Sequence, residues 1–532
     1  MRIARGAARS AALLLLTVVL HVPAPATSVP VAPAAAPAPP SADPFYTYDG
    51  SAPLASFAPG TVLKTRSATA TLPVPASMTQ LLYRTRDQLG RPTATVTSVL
   101  KPAVPIPGRV VAYQSFYDAL TTRCAPSYTL NGGPTNSTWQ AEQYFIQQLL
   151  LQQYTVVVSD FEGPKPAFAT GPIYGYETLD GIRAAFNSAE AGLAPTSKVG
   201  MIGYSGGAIA TEWAAELAPS YAPDVNERLV GAAIGGVFVH PLHNLHYVDG
   251  SQQWADVMPL AIIGIARAFE IDFTPYLSDF GKQQVELVKE DCIDEHPNPG
   301  LTFARLVKPQ YARPESIPPL VETANKLIMG TGGRPTIPML VRQGTGGTSE
   351  GTQPHPVYGA GDGVMLAGDV RSLARHYCGQ GLPIDYAEAD LGHTNMGVQF
   401  LFESIPWLQA RFLGVLPATD TCAQIKPGNS LAPTRVAATP TCEGRPATIV
   451  GTAGRDRLLG TAGNDVIVGL GGGDTIRGRG GKDRICGRGG ADRIRGGSGA
   501  DRIRGGRGND VIRGGPGKDR IRGGPGRDRI TP

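Results

Sequence analysis

Lys198-Val199-Gly200-Met201-Ile202-Gly203-Tyr204-Ser205-Gly206-Gly207-Ala208 decides how this chain is read. An apolar run of strand length ends on Gly203, a serine follows among glycines, and an alanine-rich helical pattern covers Ala208 to Ala218. Gly203 to Gly207 fits G-x-S-x-G. Its physical content is a sharp strand-to-helix turn that lifts the Ser205 hydroxyl above a sheet, with glycines letting strand and helix approach each other. The pattern alone is weak, since roughly half a match is expected by chance at this glycine content. A second match, Gly347-Thr348-Ser349-Glu350-Gly351, makes the point. Pro354 and Pro356 bar a helix after Ser349, which therefore reads as a loop residue.

Working outward, Val110–Ser115, Tyr154–Ser159, Leu229–Val239 and Ile337–Gln343 read as buried strands, and Ile384–Glu388 as a short one. Gly363–Cys378 and Gly397–Phe412 carry helical patterns. This alternation predicts an α/β class with a parallel sheet covered by helices on both faces, an α/β-hydrolase over residues 43–417. Roughly 100 residues separate Leu229–Val239 from Ile337. That exceeds one crossover helix, so a cap or lid insertion is expected at about 240–335. Within it Val257–Phe269 is strongly apolar, either a buried cap helix or a lid that opens at a lipid interface. His240, His243 and His246 have a zinc-like spacing, but Pro241 and the lack of a carboxylate pattern favour structural or pocket roles.

A serine nucleophile needs a base, and the base an orienting carboxylate, in the chain order Ser, Asp or Glu, His. His393 sits after the Ile384–Glu388 strand, in an expected loop, and is the chosen base. His376 lies inside a helical pattern and His355 between prolines, too early in the order. Asp362, after the Ile337–Gln343 strand and before a helix, is the chosen acid over Asp369, Asp385 and Asp390. The expected catalytic set is Ser205, Asp362 and His393.

The chain's 532 residues are too many for one core. Its charge of +4 conceals a split. From Arg445 onward there are 19 Lys and Arg against 9 Asp, a net of +10, which leaves −6 on the first 444 residues. Arg2, Arg5 and Arg9, the apolar run Ala11–Val22 and Ala24-Pro25-Ala26 read as a signal peptide over 1–26 and imply a secreted protein. Residues 27–42 are a Pro/Ala-rich extended linker. Residues 418–447 read as a second linker.

The basic tail, 448–532, is a nine-residue repeat. Asp456, Asp465, Asp474, Asp483, Asp492, Asp501, Asp510, Asp519 and Asp528 keep one phase, with Leu458 or an Ile two residues later and Gly two before. Gly permits the turn, Asp supplies a hard oxygen, and the aliphatic residue points into a core. Stacked, such units make a parallel β-roll that binds Ca²⁺ through those nine Asp. The tail resembles RTX, hemolysin-type calcium-binding repeats, Gly505-Gly506-Arg507-Gly508-Asn509-Asp510 matching in full. Thr452 and Thr461 replace the second Gly of their units. Arg493 and Arg495, Arg502 and Arg504, Arg520 and Arg522 depart from the acidic habit of that family. They form either a solvated surface that offsets the Asp rows or an attachment face for an anionic cell-surface polymer. No nucleic acid is expected, because no aromatics interleave.

Tyr113-Gln114-Ser115-Phe116-Tyr117-Asp118, Cys124-Ala125-Pro126-Ser127-Tyr128 and Ser159-Asp160-Phe161-Glu162-Gly163, taken with the Ser205 turn, resemble the secretory lipase family over most of 45–415. The resemblance implies an oxyanion hole at Asp118 and Gly206, disulfides Cys124–Cys292 and Cys378–Cys422, and by remainder Cys442–Cys486, although the sequence alone leaves fifteen pairings open. Asp160 and Glu162 read as structural or pocket-shaping. It also implies a secreted serine ester hydrolase, a triacylglycerol lipase working at a lipid–water interface with no cofactor for catalysis. The alternatives are a short-chain carboxylesterase and a Ca²⁺-dependent surface-binding protein with an inactive hydrolase body.

Overall fold

The computed structural model describes residues 36–134, 137–414 and 419–532. The expected signal peptide and most of the first linker lie outside these.

Nine strands form the main sheet: β1 Val62–Thr69, β2 Ala76–Arg86, β3 Pro92–Pro102, β4 Arg109–Gln114, β5 Thr155–Ser159, β6 Lys198–Tyr204, β7 Leu229–Gly235, β8 Met339–Gly344 and β9 Ile384–Ala389. Their order is β1-β2-β3-β5-β4-β6-β7-β8-β9. From β5 to β9 all neighbours are parallel, as expected. The first three strands correct the expectation of a parallel sheet: β1, β2 and β3 are antiparallel to one another, and β3 is antiparallel to β5. β1 alternates exposed and half-buried residues, which is the mark of an edge strand rather than of a two-sided core strand.

The central strands are buried on both faces, and alternate side chains feed two cores. Ala112 and Met201 pack with the helices Gly171–Asn187, Gly206–Tyr221 and Ala367–Gly379 on one side. Val111, Tyr113 and Ile202 pack with Ser137–Leu151 and His393–Leu413 on the other. β7 stops at Gly235 rather than at Val239, because Gly236 turns the chain at φ +57°. The insertion that follows folds as a helical cap with its own core, including Leu242, Met258, Ile262, Phe303 and Leu320. Among the described residues no helix is long and apolar enough to cross a membrane.

The second linker is packed rather than free. Cys422 is bonded to Cys378, the Thr421 amide donates to the Ile384 carbonyl, and that of Ala437 donates to the Glu315 carbonyl. After it, ten short strands from Ile449–Val450 to Arg529–Thr531 alternate between two five-stranded parallel sheets. Ile449, Ile467, Ile476, Ile485, Ile494, Ile503 and Ile512 fill the space between them. Each coil therefore takes two nine-residue units, and partners lie 18 residues apart, as Ile476 and Ile494 do.

Candidate active site

Ser205 occupies the turn between β6 and the helix Gly206–Tyr221, at φ 54° and ψ −122°. A non-glycine residue there costs about 1–3 kcal/mol and persists only where its surroundings fix it. Its amide donates to the Gly235 carbonyl, and its carbonyl accepts from Ala208. Strand and helix close tightly: a Cβ on Gly203 would meet the Gly207 oxygen at 2.1 Å.

His393 brings its Nε2 to 2.8 Å from Ser205 Oγ and its Nδ1 to 2.8 Å from Asp362 Oδ2. Both His393 and Asp362 are buried. His393 is not in a loop, as expected, but is the first residue of the helix His393–Leu413. Its amide donates to the Asp362 carbonyl, so backbone and side chain hold the pair together. Asp362 lies in the loop after β8, where expected. Its Oδ1 accepts from the Val364 and Met365 amides, which leaves Oδ2 to the imidazole. Those bonds also delay the next helix, which begins at Ala367 rather than Gly363. Burial alone would lower the imidazole's pKa. The Asp362 carboxylate, with Glu350 and Asp118 farther off, outweighs it and holds the ring above its ordinary value.

The structure also brings together Gly206 and Asp118. Gly206 opens its helix, so its amide has no acceptor within it. A Cβ on Gly206 would fall 1.7 Å from Asp118 Oδ1. Asp118 is buried at φ +32°, and its Oδ1 has no hydrogen-bond partner. Burial pushes its carboxyl up to about 7, although His393 pulls the other way. The loop is fixed to the cap: the Asp118 carbonyl accepts from Ile293, the Leu120 amide donates to Asp291, and Cys124 is bonded to Cys292. On its other side the Phe116 amide donates to the buried Glu142. Glu162 accepts from the Ala119 amide and the Tyr174 hydroxyl, and Asp160 from Ser127.

Two residues that sequence reasoning missed lie against the imidazole. The Trp254 ring stands edge-on to it, with centroids 5.3 Å apart. Glu350 Oε2 accepts from Trp254 Nε1 at 2.7 Å, and its Oε1 from the Thr394 amide at 2.9 Å. Glu350 belongs to the second G-x-S-x-G stretch, whose Ser349 donates to the Gly346 carbonyl in a short 3-10 turn. Its only sequence signal was a motif set aside for its serine. A cavity of about 570 Å³ opens beside it, lined in part by Gln252, Asp256, Asp294 and Ser349. Another of about 820 Å³ lies against Val257–Phe269, walled by Ile262, Ile263, Ala266, Ile271 and Phe273, and none of its lining residues belongs to the Ser205–His393–Asp362 array.

The other histidines are engaged elsewhere. His240 stacks on His243, which bonds Asp369, while His246 bonds Glu315. His355 accepts from the Val357 and Tyr358 amides, and His376 lies beside Gln380.

The roll carries a separate set of oxygens. Each of Asp474, Asp483, Asp492, Asp501, Asp510 and Asp519 accepts through Oδ1 from the amide of the Asp 18 residues earlier, and each keeps a buried, unpartnered Oδ2. A Cβ on Gly487 would lie 2.2 Å from Asp492 Oδ2 and 2.6 Å from the Gly505 oxygen, so this is an oxygen-lined hollow. Burial pushes Asp474, Asp483 and Asp492 up to about 6. Orphaned carboxylate oxygens facing backbone carbonyls suit a hard divalent cation, and the residues fit Ca²⁺. Carboxylates alone would not hold it: among the described residues no three His, Cys, Asp or Glu are grouped to bind a metal. Asp456 and Asp465 differ, since their Oδ2 atoms accept from the amide and hydroxyl of Thr452 and Thr461.

Residues 132–298 match the family model for secretory lipases, and 448–476, 459–494 and 495–530 match that for RTX calcium-binding nonapeptide repeats. The chain is similar to Lipase 6 of Candida albicans, 30% identical over 415 residues, 72% of this chain and 84% of that one. A protein of Mycobacterium tuberculosis named a probable inactive lipase is 37% identical over 271 residues, 47% of this chain and 58% of its own. Among solved structures, Candida antarctica lipase A in its closed state superposes with a TM-score of 0.64 at 27% identity, over 76% of this chain and 93% of its own.

Proposed function

Because this chain belongs to the secretory lipase family, we propose that it is a secreted triacylglycerol lipase that works through an acyl-enzyme on Ser205. The observation that carries the reading is the continuous Ser205–His393–Asp362 hydrogen-bond array at the end of the sheet.

In this reading Ser205 Oγ attacks the ester carbonyl as His393 Nε2 takes its proton. Asp362 holds the ring in the tautomer that leaves Nε2 free, and it stabilises the imidazolium once formed. The carbonyl oxygen becomes an oxyanion beside the Gly206 and Asp118 amides. A donor in such a place is worth ~10²–10³ in rate. Burial favours the neutral form of the Asp118 carboxyl, which lessens its opposition to the new charge. His393 then protonates the leaving alcohol, the acyl group stays on Ser205, and a water deprotonated by the same imidazole releases it.

In the tail, Asp474 to Asp519 would hold Ca²⁺ together with backbone carbonyls. The ion would supply positive charge to offset the Asp rows. This chain's own contribution is to orient each carboxylate through the 18-residue amide bond.

Labelling with a fluorophosphonate followed by peptide mapping tests the assignment: the tag belongs on Ser205, and Ser205→Ala removes both label and ester hydrolysis. Tag on another serine would refute it. Rates on a tributyrin emulsion against dissolved p-nitrophenyl acetate separate a lipase from a short-chain esterase. A chain that takes no label and hydrolyses neither would favour the inactive, surface-binding alternative.

A further inference from the structure

The two sheets of the roll present unlike faces. On the sheet that starts at Ile449–Val450, the hairpin Thr441–Cys442/Arg445–Pro446 covers the first strands. Cys442 is bonded to Cys486 and packs with Ala447, Val450 and Val468. From that hairpin Glu443 reaches Arg484, Arg502 and Arg504 at 3.0–3.5 Å. These are the roll's only ion pairs among the described residues.

The sheet that starts at Arg457–Leu459 has no such partner. Its register sets Arg477, Arg495 and Arg513 in one unbroken column, and Arg457, Arg493 and Arg529, with Thr475 and Val511 between them, in the next. All six arginines are exposed; those on the inner strands flank the inward Leu458, Ile476, Ile494 and Ile512. Neighbouring strands lie ~4.8 Å apart, so the first column stacks its guanidinium-bearing residues on successive strands along the roll axis and the second carries them on every other strand. Six of the nine Asp are buried in the coils, and among the described residues none forms an ion pair with an arginine of this face.

We propose that this face docks a linear polyanion carrying repeated phosphate groups, laid along the axis of the roll. A guanidinium fork pairs with a phosphate through two parallel hydrogen bonds, and a straight column suits an extended chain better than a compact anion. The outward residues are Arg, Thr, Leu459 and Val511, with no aromatic among them. The face therefore lacks a stacking platform for bases and the aromatic anchors of a membrane interface, which favours a polymer without bases over nucleic acid or a bilayer.

The test is anisotropy of end-labelled inorganic polyphosphate with the full-length protein across a salt series. Binding should weaken linearly in log–log form. The variant R477Q/R495Q/R513Q should bind at least about tenfold more weakly, with a salt slope shallower by about two to three. The variant R484Q/R502Q/R504Q, on the Glu443 side, should change affinity by less than about twofold. R477K/R495K/R513K, which keeps the charge, should retain most of the binding and keeps the test readable if the Gln variant misfolds. Circular dichroism and ester hydrolysis serve as folding controls. Equal losses in the two Gln variants would overturn the proposal, because net charge would then account for binding. So would tighter binding to vesicles of phosphatidylglycerol and phosphatidylcholine in equal parts, or to oligothymidylate, than to polyphosphate.

Discussion

Trp254 and Glu350 join the cap to His393: the indole Nε1 donates to Glu350 Oε2 at 2.7 Å while the indole and imidazole rings meet nearly at right angles. Glu350 takes the Thr394 amide with its other oxygen. One carboxylate thus touches both the loop before the apolar cap helix and the first turn of the helix that begins with His393.

Glu350 is one of the charges that hold the imidazole above its ordinary pKa. A base must be neutral to act, so kcat/KM falls as pH drops through that value. Glu350→Gln should move the acid limb to lower pH and leave the plateau nearly unchanged. The pH profile on a soluble ester measures this. An unmoved limb would show that Glu350 acts on Trp254 alone.

Asp362→Asn keeps the bonds to Val364 and Met365 but removes the charge that fixes the tautomer. The expected loss in kcat is ~10⁴-fold, with the melting temperature little changed. A loss confined to KM would contradict the role given to Asp362.

Burial pushes the Glu142 carboxyl up to about 8 in the folded chain. A folded pKa above the unfolded one, about 4.5, means a contribution fully present below pH 4.5 and lost as pH rises through 8. Glu142→Gln should therefore narrow the gap in melting temperature between pH 5 and pH 8.5. An unchanged gap would remove Glu142 from the pH dependence of stability.

The Cys124–Cys292 bond closes a loop of 168 residues, for which the chain-entropy estimate is about 5 kcal/mol. It also anchors the Asp118 loop to the cap. Replacing both cysteines with serine should lower the melting temperature by several degrees and lower kcat more than it raises KM. A change in melting temperature alone would separate the anchor from the oxyanion donors.

Chelation should expose the later coils of the roll to protease and leave ester hydrolysis intact, because the six orphaned Asp oxygens lie far in sequence from Ser205. Mass spectrometry of the fragments, with activity read in parallel, checks both halves. Activity lost at the rate of cleavage would tie the roll to the body.

Much of this was legible because one local signal met another. The β6 strand followed by glycine-flanked Ser205 could be told from the Ser349 stretch by the prolines after the latter, and the Asp phase of the tail repeats without a slip. Chain order pointed to Asp362 and His393, whose side chains the fold sets 2.8 Å apart. β1 was missed because it is half solvent-facing, and β2 and β3 because polar residues such as Gln80, Thr95, Thr97 and Ser98 interrupt their buried stretches and leave no apolar run to read. Trp254 and Glu350 gave no sign because they lie 96 residues apart and meet only across the closed cap. The start of the last body helix moved to His393 because its amide is held by the Asp362 carbonyl, a bond no local pattern announces.

Thr452 and Thr461 close the first two turns of the roll with their own amides and hydroxyls. The disulfide from Cys442 fastens the neighbouring strands to the incoming chain. The tail is thus a zip with a sewn end. Withdrawal of a bound ion should therefore open it from its far terminus and stop at a stitched stub, which keeps the register for the coils to close again.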